Sequence, residues 1–282
     1  MADVTAALVK ELREKSGVGM MDCKRALVEA EGDLERAVDL LRERGLGKAR
    51  SKADRATSEG CIVASVSADA KHAALIEVNC ETDFVARTDD FGELCKELAG
   101  LVRDESPADL AAFLGLPHPD GKVSDRLANA VLKLGENIKV SRVERLDAED
   151  GLIGSYIHAG GKIGVLAHLT GESGDPLKAF THNVCMHVAA SNPLGVSRGD
   201  IAADEVERER GVLRRQAESE GKPAAVVEKM VEGRLTKFFK ELVLLEQPLV
   251  MDPDRSVGDA ARDAGAEVVA FRRYQLGEEA QE

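Results

Sequence analysis

Apolar residues recur at helical spacing in three short stretches at the start of the chain. The first runs over residues 6–16 and the second over about 22–30, while the third follows Asp33 and ends at Gly45. Each stretch has one apolar face, and three such faces can close on one another. The pattern therefore predicts a three-helix module over residues 1–46. Its inward positions are Leu8, Val9, Leu12, Cys23, Ala26, Leu27, Leu34, Ala37, Val38 and Leu41.

The same order of elements, β-β-α-β, is predicted twice in the remainder of the chain. Each unit can cover a small antiparallel sheet with a helix. The predicted fold class is therefore α+β, with duplicated core halves over residues 59–147 and 148–282. The elements of the first half are strands 61–66 and 73–79, a helix carrying residues 91–102, and strand 137–146; those of the second are strands 152–158 and 163–169, a helix carrying residues 180–188, and strand 267–276.

An insertion in the second half, residues 202–241, predicts a helical hairpin. Residues 204–218 are densely charged and helical in composition, and residues 220–223 form a break in which Pro223 can start a new helix. An apolar stripe follows the break. Two helices joined by a tight turn form an antiparallel hairpin that projects from the body as an arm. The stripe consists of Val226, Val227, Met230, Leu235 and Phe238.

The charge balance argues against nucleic acid as the main partner. The chain holds 38 Lys and Arg against 51 Asp and Glu, for a net charge of −13, and aromatic residues are only 3%. Phosphate binding needs clustered cations, and binding of single strands needs aromatic platforms. The basic run 44–55 is interpreted as a linker, assigned to 47–58, or as a solvated extension of the third helix. A nucleic-acid patch is the alternative.

Composition also indicates the compartment. Apolar runs are too short for a membrane span, and the N-terminus lacks the pattern of a secretory signal. The five cysteines are odd in number and widely spaced, which is typical of reduced thiols. We therefore expect a cytoplasmic protein with no membrane partner.

Catalytic, nucleotide-binding and metal-binding patterns are missing from the sequence. Three Gly-Lys pairs, at 47–48, 161–162 and 221–222, lack both the preceding glycine and the following hydroxyl of a P-loop. His182, Cys185 and His187 share one predicted helix, but the spacing of two makes the last pair diverge, so helix packing is favoured over a metal site. We expect no enzyme activity, no cofactor, no metal and no direct binding of GDP or GTP.

One short connection, residues 82–86, combines an aromatic residue with a carboxylate. Phe84 lies beside Asp83 between a predicted strand and the next helix, and connections lie at surfaces. Phe84 is interpreted either as a core plug or as a wedge that inserts into a partner. Met20 and Met21 offer a similar choice, because they are either packed within the bundle or an exposed apolar tip.

Six segments in order along the chain closely resemble the bacterial elongation factor Ts family, the guanine-nucleotide exchange factors of elongation factor Tu. The resemblance covers nearly the whole length. It implies an N-terminal module of ubiquitin-associated type, a duplicated α+β core, an inserted coiled-coil hairpin and a small C-terminal module, here 248–282. The segments are 8–13 with 17–27, then 77–86, 135–138, 154–158, 186–191 and 247–251.

The resemblance also implies a mechanism and its residues. The factor binds elongation factor Tu with GDP, the tip Thr82, Asp83, Phe84 and Val85 enters near the magnesium site, and Mg²⁺ is displaced so that GDP leaves and GTP binds. The chain departs from the family pattern in a longer turn after His158 and in a tail that stops soon after Gly277. The other implied partner contacts are Leu12, Arg13, Met20, Met21, Lys24, Gly135, Asn137, Ile138 and His158.

Two other functional classes stay open at this stage. One is an RNA-binding accessory factor that uses residues 44–55 and the charged arm. The other is a silent adaptor whose N-terminal bundle docks a different protein. Self-association through the helical hairpin is also open.

Overall fold

Three helices form the start of the chain in a computed structural model, which describes residues 4–221 and 223–278. They are α1 (Ala6–Ser16), α2 (Met20–Glu29) and α3 (Leu34–Lys52). The side chains of Thr5 and Asp33 accept backbone hydrogen bonds at the starts of α1 and α3. The predicted end of α3 at Gly45 is wrong, because the helix continues to Lys52. The first half of the predicted linker 47–58 is therefore helical.

The first core half contains a three-stranded sheet and four helices. Its three predicted strands are confirmed, the first two with slightly wider bounds and the third starting two residues later and ending one residue later. The helix α7 was not predicted, although it is strongly amphipathic and buries six of its residues. The elements are β1 (Glu59–Val66), β2 (His72–Cys80), α4 (Asp83–Ala86), α5 (Asp89–Glu105), α6 (Leu110–Gly115), β3 (Pro117–His118), β4 (Gly121–Lys122), α7 (Val123–Leu134) and β5 (Lys139–Asp147).

The second half repeats the three strands of the main sheet, β1, β2 and β5, and adds the inserted helices. Its last strand follows a short helix rather than a long one. The elements are β6 (Leu152–His158), β7 (Ile163–Gly171), α8 (Asp175–Ser191), α9 (Ala203–Ser219), α10 (Ala224–Leu242), β8 (Pro248–Leu249), β9 (Asp252–Ser256), α11 (Val257–Asp263) and β10 (Ala266–Gln275).

Both main sheets have the same topology. The first has the order β1-β2-β5 and the second the order β6-β7-β10, all with antiparallel neighbours. Each also has one register shift against its last strand, at Glu77/Val78 and at Val268/Ala270. The predicted duplication is confirmed at the level of sheet order. The division of the chain into domains stays a prediction.

The two sheets pack back to back, and helices cover their outer faces. On β2, Ile76 and its alternate neighbours join a cluster with α5 and α7, whereas Leu75 faces Ile153 and Leu166 of the second sheet. On β7, Val165 and its alternate neighbours pack against α8. The central strand of each sheet is therefore buried on both faces. This arrangement needs continuous apolar sequence rather than strict alternation.

Helix α3 ties the N-terminal bundle to the core. Its Gly45 approaches α7 so closely that an added Cβ would lie 3.2 Å from the carbonyl oxygen of Ala128. Arg42 bonds Asp125 at 2.6 Å, and Leu132 of α7 belongs to the apolar cluster of the bundle. The bundle therefore shares part of its core with the first core half.

The inserted helices α9 and α10 contact each other through a buried seam that includes Leu213, Val231 and Leu235. Arg214 and Glu228 add an exposed ion pair at 2.9 Å. The predicted stripe is only partly inward, because Val226 is exposed. The coiled-coil character of this hairpin and the ubiquitin-associated type of the bundle stay predictions. Within residues 4–221 and 223–278, no helix is long and apolar enough to cross a membrane.

We expect Gly47→Ala to raise the free energy of unfolding by about 0.5–1 kcal/mol. Gly47 lies within α3 with no neighbour within 4 Å of an added Cβ. Gly45→Leu is the matched control in the same helix, and it should lower that free energy by about 1–3 kcal/mol because the side chain collides with α7. Urea unfolding measures both values. Stabilisation by both substitutions would contradict the close packing of α3 on α7.

We also expect the stability to depend on pH through His187. This buried imidazole accepts a hydrogen bond from the Val250 amide and donates one to Gln247 at 2.8 Å. Burial lowers its pKa, so the folded protein holds it neutral. The unfolded state therefore binds more protons below pH of about 6.5, and stability is lost as pH falls through that value.

Urea unfolding between pH 7 and 5.5 tests this dependence. His187→Gln should flatten the decline in the free energy of unfolding. His182→Gln, which changes an exposed imidazole on the same helix, should keep it. Equal slopes for the wild type and His187→Gln would show that other groups cause the decline.

Candidate functional site

The tip between β2 and α5 is a single helical turn rather than an irregular loop. Thr82 caps this turn, α4, by accepting a hydrogen bond from the Val85 amide at 3.4 Å, and Thr88 caps α5 in the same way. Val85 and Ala86 pack against the core of the first half. The turn therefore has capped ends and one buried side.

Phe84 points away from this buried side. Its side chain is 80% exposed, in a chain that has only seven Phe residues. The interpretation of Phe84 as a core plug is therefore wrong. A largely exposed aromatic ring on an ordered turn gives apolar surface that a partner can bury.

Asp83 presents a carboxylate beside this ring. It forms an ion pair with Arg87 at 2.8 Å, one helical turn later, and both side chains are well exposed. Such exposed pairs contribute little to stability. The Asp83 carboxylate is therefore available to other donors at small cost.

Glu136 braces the tip from a different segment, the turn between α7 and β5. One carboxylate oxygen accepts hydrogen bonds from the Glu81 and Thr82 amides at 3.1 and 3.0 Å, and the other accepts from the Thr82 hydroxyl at 2.6 Å. Glu136 lies within the family segment 135–138 but was not predicted as a site residue. Its position beside Gly135, Asn137 and Ile138 was the available signal.

Asn137 makes the reciprocal contact. Its amide donates to the Glu81 carboxylate at 2.6 Å, and this hydrogen bond, assisted by the charge of Arg55, holds the pKa of Glu81 below its ordinary value. The Asn137 side chain donates to the carbonyl of Arg55 at 3.0 Å. Lys52, the last residue of α3, donates to the carbonyl of Gly135. The end of α3 and the base of the tip are thus bonded to one turn.

The two predicted partner contacts Asn137 and Ile138 have buried side chains. The first is bonded to the chain after α3, and the second lies within the core of the first half. These side chains hold the turn in place, and the role of both residues as partner contacts stays a prediction. Gly135 is exposed and ends α7 in a left-handed conformation with φ of 82°.

His158 lies at the end of β6, where it is exposed and opposite Ile163 of β7. Its Nδ1 lies 2.9 Å from the Tyr156 hydroxyl. The turn that follows reaches β1, since the Gly161 carbonyl accepts from the Ile62 amide at 2.7 Å and Lys162 bonds Glu59 at 2.6 Å. Glu59 pairs with Cys80 at the base of the tip, so the structure brings the turn after His158 to the same edge as the tip.

The predicted residues of the N-terminal bundle divide into two groups. Met20 and Met21 are 51% and 63% exposed at the start of α2, which contradicts their packing within the bundle. Arg13 and Lys24 are also exposed. Leu12 is fully buried in the core of the bundle, as its helical spacing predicts, and its role as a partner contact stays a prediction.

The remaining candidate chemistry does not converge. His182 is exposed against the Tyr156 ring, whereas His187 is buried against Gln247. Within the described ranges 4–221 and 223–278, no group of three His, Cys, Asp or Glu is arranged to hold a metal ion. The first Gly-Lys pair lies inside α3, the second lies in the turn after β6, and Lys222 of the third lies outside the described residues. So do residues 279–282, the end of the short tail.

Comparison with known proteins identifies the family. The family model "Elongation factor TS" matches residues 81–278, which include the tip, the turn at Glu136 and the second core half. Proteins named elongation factor Ts from Acidithiobacillus ferrooxidans and Methylococcus capsulatus are each 46% identical over 276 residues, covering 98% of this chain and 92% of each relative. This agreement along nearly the full length shows that the chain belongs to the elongation factor Ts family.

Proposed function

We propose that this protein is the guanine-nucleotide exchange factor of translation elongation in its cell, acting in the cytoplasm. It binds elongation factor Tu with GDP, displaces Mg²⁺ and promotes release of GDP so that GTP can bind. Membership of the family supports this partner. The protein acts by binding and contributes no catalytic residue of its own.

The exposed Phe84 on its braced turn is the observation that carries the proposal. Entry of Phe84 into the partner supplies roughly 1.5–3 kcal/mol through burial of the ring. Asp83 accepts hydrogen bonds from donors of the partner near its magnesium site. By linkage, a factor that weakens nucleotide binding is weakened equally by nucleotide, so incoming GTP releases it.

The wedge alone is too weak for a stable complex, since each 1.4 kcal/mol gives about a factor of ten in affinity. Met20, Met21, Arg13 and Lys24 provide a first docking surface on the N-terminal bundle. His158, at the edge that also carries the tip, provides a second. These surfaces hold the partner while the tip enters its site.

RNA binding is less well supported. In the basic run, Arg44 pairs with Glu29, Lys48 with Asp22 and Arg55 with Glu81. Lys52 bonds a backbone carbonyl. The acidic partners reduce the positive potential that phosphate binding needs.

Release of labelled GDP from purified elongation factor Tu tests the function directly. The wild-type protein should accelerate release strongly when added in catalytic amounts. Release at the spontaneous rate would refute the proposal.

Phe84→Ala should slow GDP release by about ten- to hundredfold, because the partner loses the apolar contact of the ring. The melting temperature should change little, since the ring is largely exposed in the free protein. Stopped-flow release and thermal melts measure the two effects.

Phe113→Ala is the matched control, since it truncates a fully buried Phe of the same core half. It should cost about 3–5 kcal/mol of stability and leave the rate per folded molecule unchanged. Phe113→Leu is the milder substitute if the alanine variant unfolds. A Phe84→Ala variant that resembles the Phe113 variants would exclude the wedge.

Asp83→Ala should also slow GDP release, by about ten- to hundredfold. The substitution removes the carboxylate and with it hydrogen bonds from donors of the partner, worth roughly 1.5–3 kcal/mol. Arg87→Ala breaks the same internal ion pair but leaves the Asp83 carboxylate in place. Elongation factor Tu should therefore release GDP at least as fast with this variant as with the wild type. Equal losses in both variants would assign Asp83 a role within the tip instead.

A further inference from the structure

Two carboxylates at the base of the tip exchange hydrogen bonds between distant segments. Glu136 accepts from the Glu81 and Thr82 amides and from the Thr82 hydroxyl, and Glu81 accepts from the Asn137 amide. We call this arrangement the carboxylate clamp. Hydrogen bonds that have an ionised acceptor are stronger than neutral ones. The two segments continue the antiparallel pair of β2 and β5, and hydrogen bonds in both directions keep them from shifting independently.

The clamp acts on the residue that orients the tip. Thr82 is the N-cap of α4, and its hydroxyl oxygen accepts from the Val85 amide while its hydrogen bonds to Glu136. The α4 turn is only four residues long, so its own backbone hydrogen bonds cannot hold its direction. The direction of Phe84, two residues after Thr82, therefore depends on the clamp.

The clamp is also bonded to the end of α3. Asn137 donates to the carbonyls of Ala53 and Arg55, at 3.3 and 3.0 Å, and Lys52 donates to the carbonyl of Gly135. Helix α3 runs without a break from the bundle that carries Met20 and Met21. The bundle is thus bonded, through α3, to the same turn that holds Thr82.

We propose that Glu136 is a positioning residue for nucleotide exchange, which sets the direction of Phe84 through the carboxylate clamp without itself contacting the partner's nucleotide site. This inference rests on the proposed function. In this proposal Glu136 acts only through the tip. Loss of Glu136 should therefore lower the GDP-release rate of a protein that has Phe84 and scarcely change the rate of one that lacks it.

The test is a double-mutant cycle in the GDP-release assay at saturating and at subsaturating factor. Glu136→Ala should lower the maximal release rate by about tenfold, because small displacements of a positioned group reduce rates strongly. The factor concentration for half-maximal release should change by less than about twofold, since the docking surfaces stay intact. In the Phe84→Ala background, the same substitution should change the maximal rate by less than about twofold.

Glu136→Gln is the conservative control. Its amide oxygen can still accept from the two backbone amides, and the Thr82 hydroxyl can turn to accept from its NH₂ group. With this variant, elongation factor Tu should release GDP at a rate between those measured with the wild type and with Glu136→Ala. A Glu136→Gln rate equal to that of Glu136→Ala would contradict the clamp, because the amide would then restore nothing.

Hydrogen exchange on the free protein gives a readout that needs no partner. The amides of Glu81, Thr82 and Asn137 should exchange slowly in the wild type, and those of Glu81 and Thr82 should exchange faster in Glu136→Ala. The positioning role is overturned by an equal loss of rate in both Phe84 backgrounds, by a change only in the half-maximal concentration, or by unchanged exchange. If the wild type does not accelerate GDP release from elongation factor Tu, the proposed function fails. The hydrogen-exchange result still tests the clamp in that case.

Discussion

The burial of β2 and β7 on both faces is the constraint on which the rest of the structure depends. Leu75 and Leu166 meet between the two sheets, and the helices α5, α7 and α8 cover the outer faces. The sheets approach so closely that a Cβ on Gly164 would lie 2.4 Å from Ile62. This contact fixes the position of the second core half against the first. It thereby brings the turn after His158 to the edge that carries the tip.

A buried ion pair spans the same contact. Glu77 of β2 is almost fully buried and bonds Arg142, whose guanidinium stacks 4.1 Å from the centre of the Tyr274 ring of β10. The Gly277 amide donates to the Glu77 carboxylate. A buried ion pair of this kind is costly to break from one side and defines one arrangement of its neighbours. The end of the second sheet is thus held against the centre of the first.

The tip combines an exposed ring with an ordered base, and this combination suits a protein that acts by binding. A mobile loop would have to lose conformational entropy in the complex, which reduces affinity. Here Thr82, Glu136 and Asn137 order the backbone during folding, while Phe84 keeps its apolar surface for a partner. The bundle is similarly fixed, because α3 packs on α7 before it reaches the clamp.

Local patterns in the sequence were sufficient to predict the strands of both halves, the helical bundle and the paired inserted helices, because alternation, helical spacing and caps act between near neighbours. Family segments then located the tip. Other features depended on contacts between distant residues. Glycine is typical of a helix end, yet α3 continues through Gly45, whose backbone packs on Ala128 of α7. Asn137 and Ile138 lie in the turn between α7 and β5, yet their side chains are buried. Phe84 fitted either a plug or a wedge, and the tertiary structure decided its direction, because Val85 and Ala86 pack on the core and Glu136 braces Thr82. The Glu136 brace spans 54 residues, so no local pattern could reveal it.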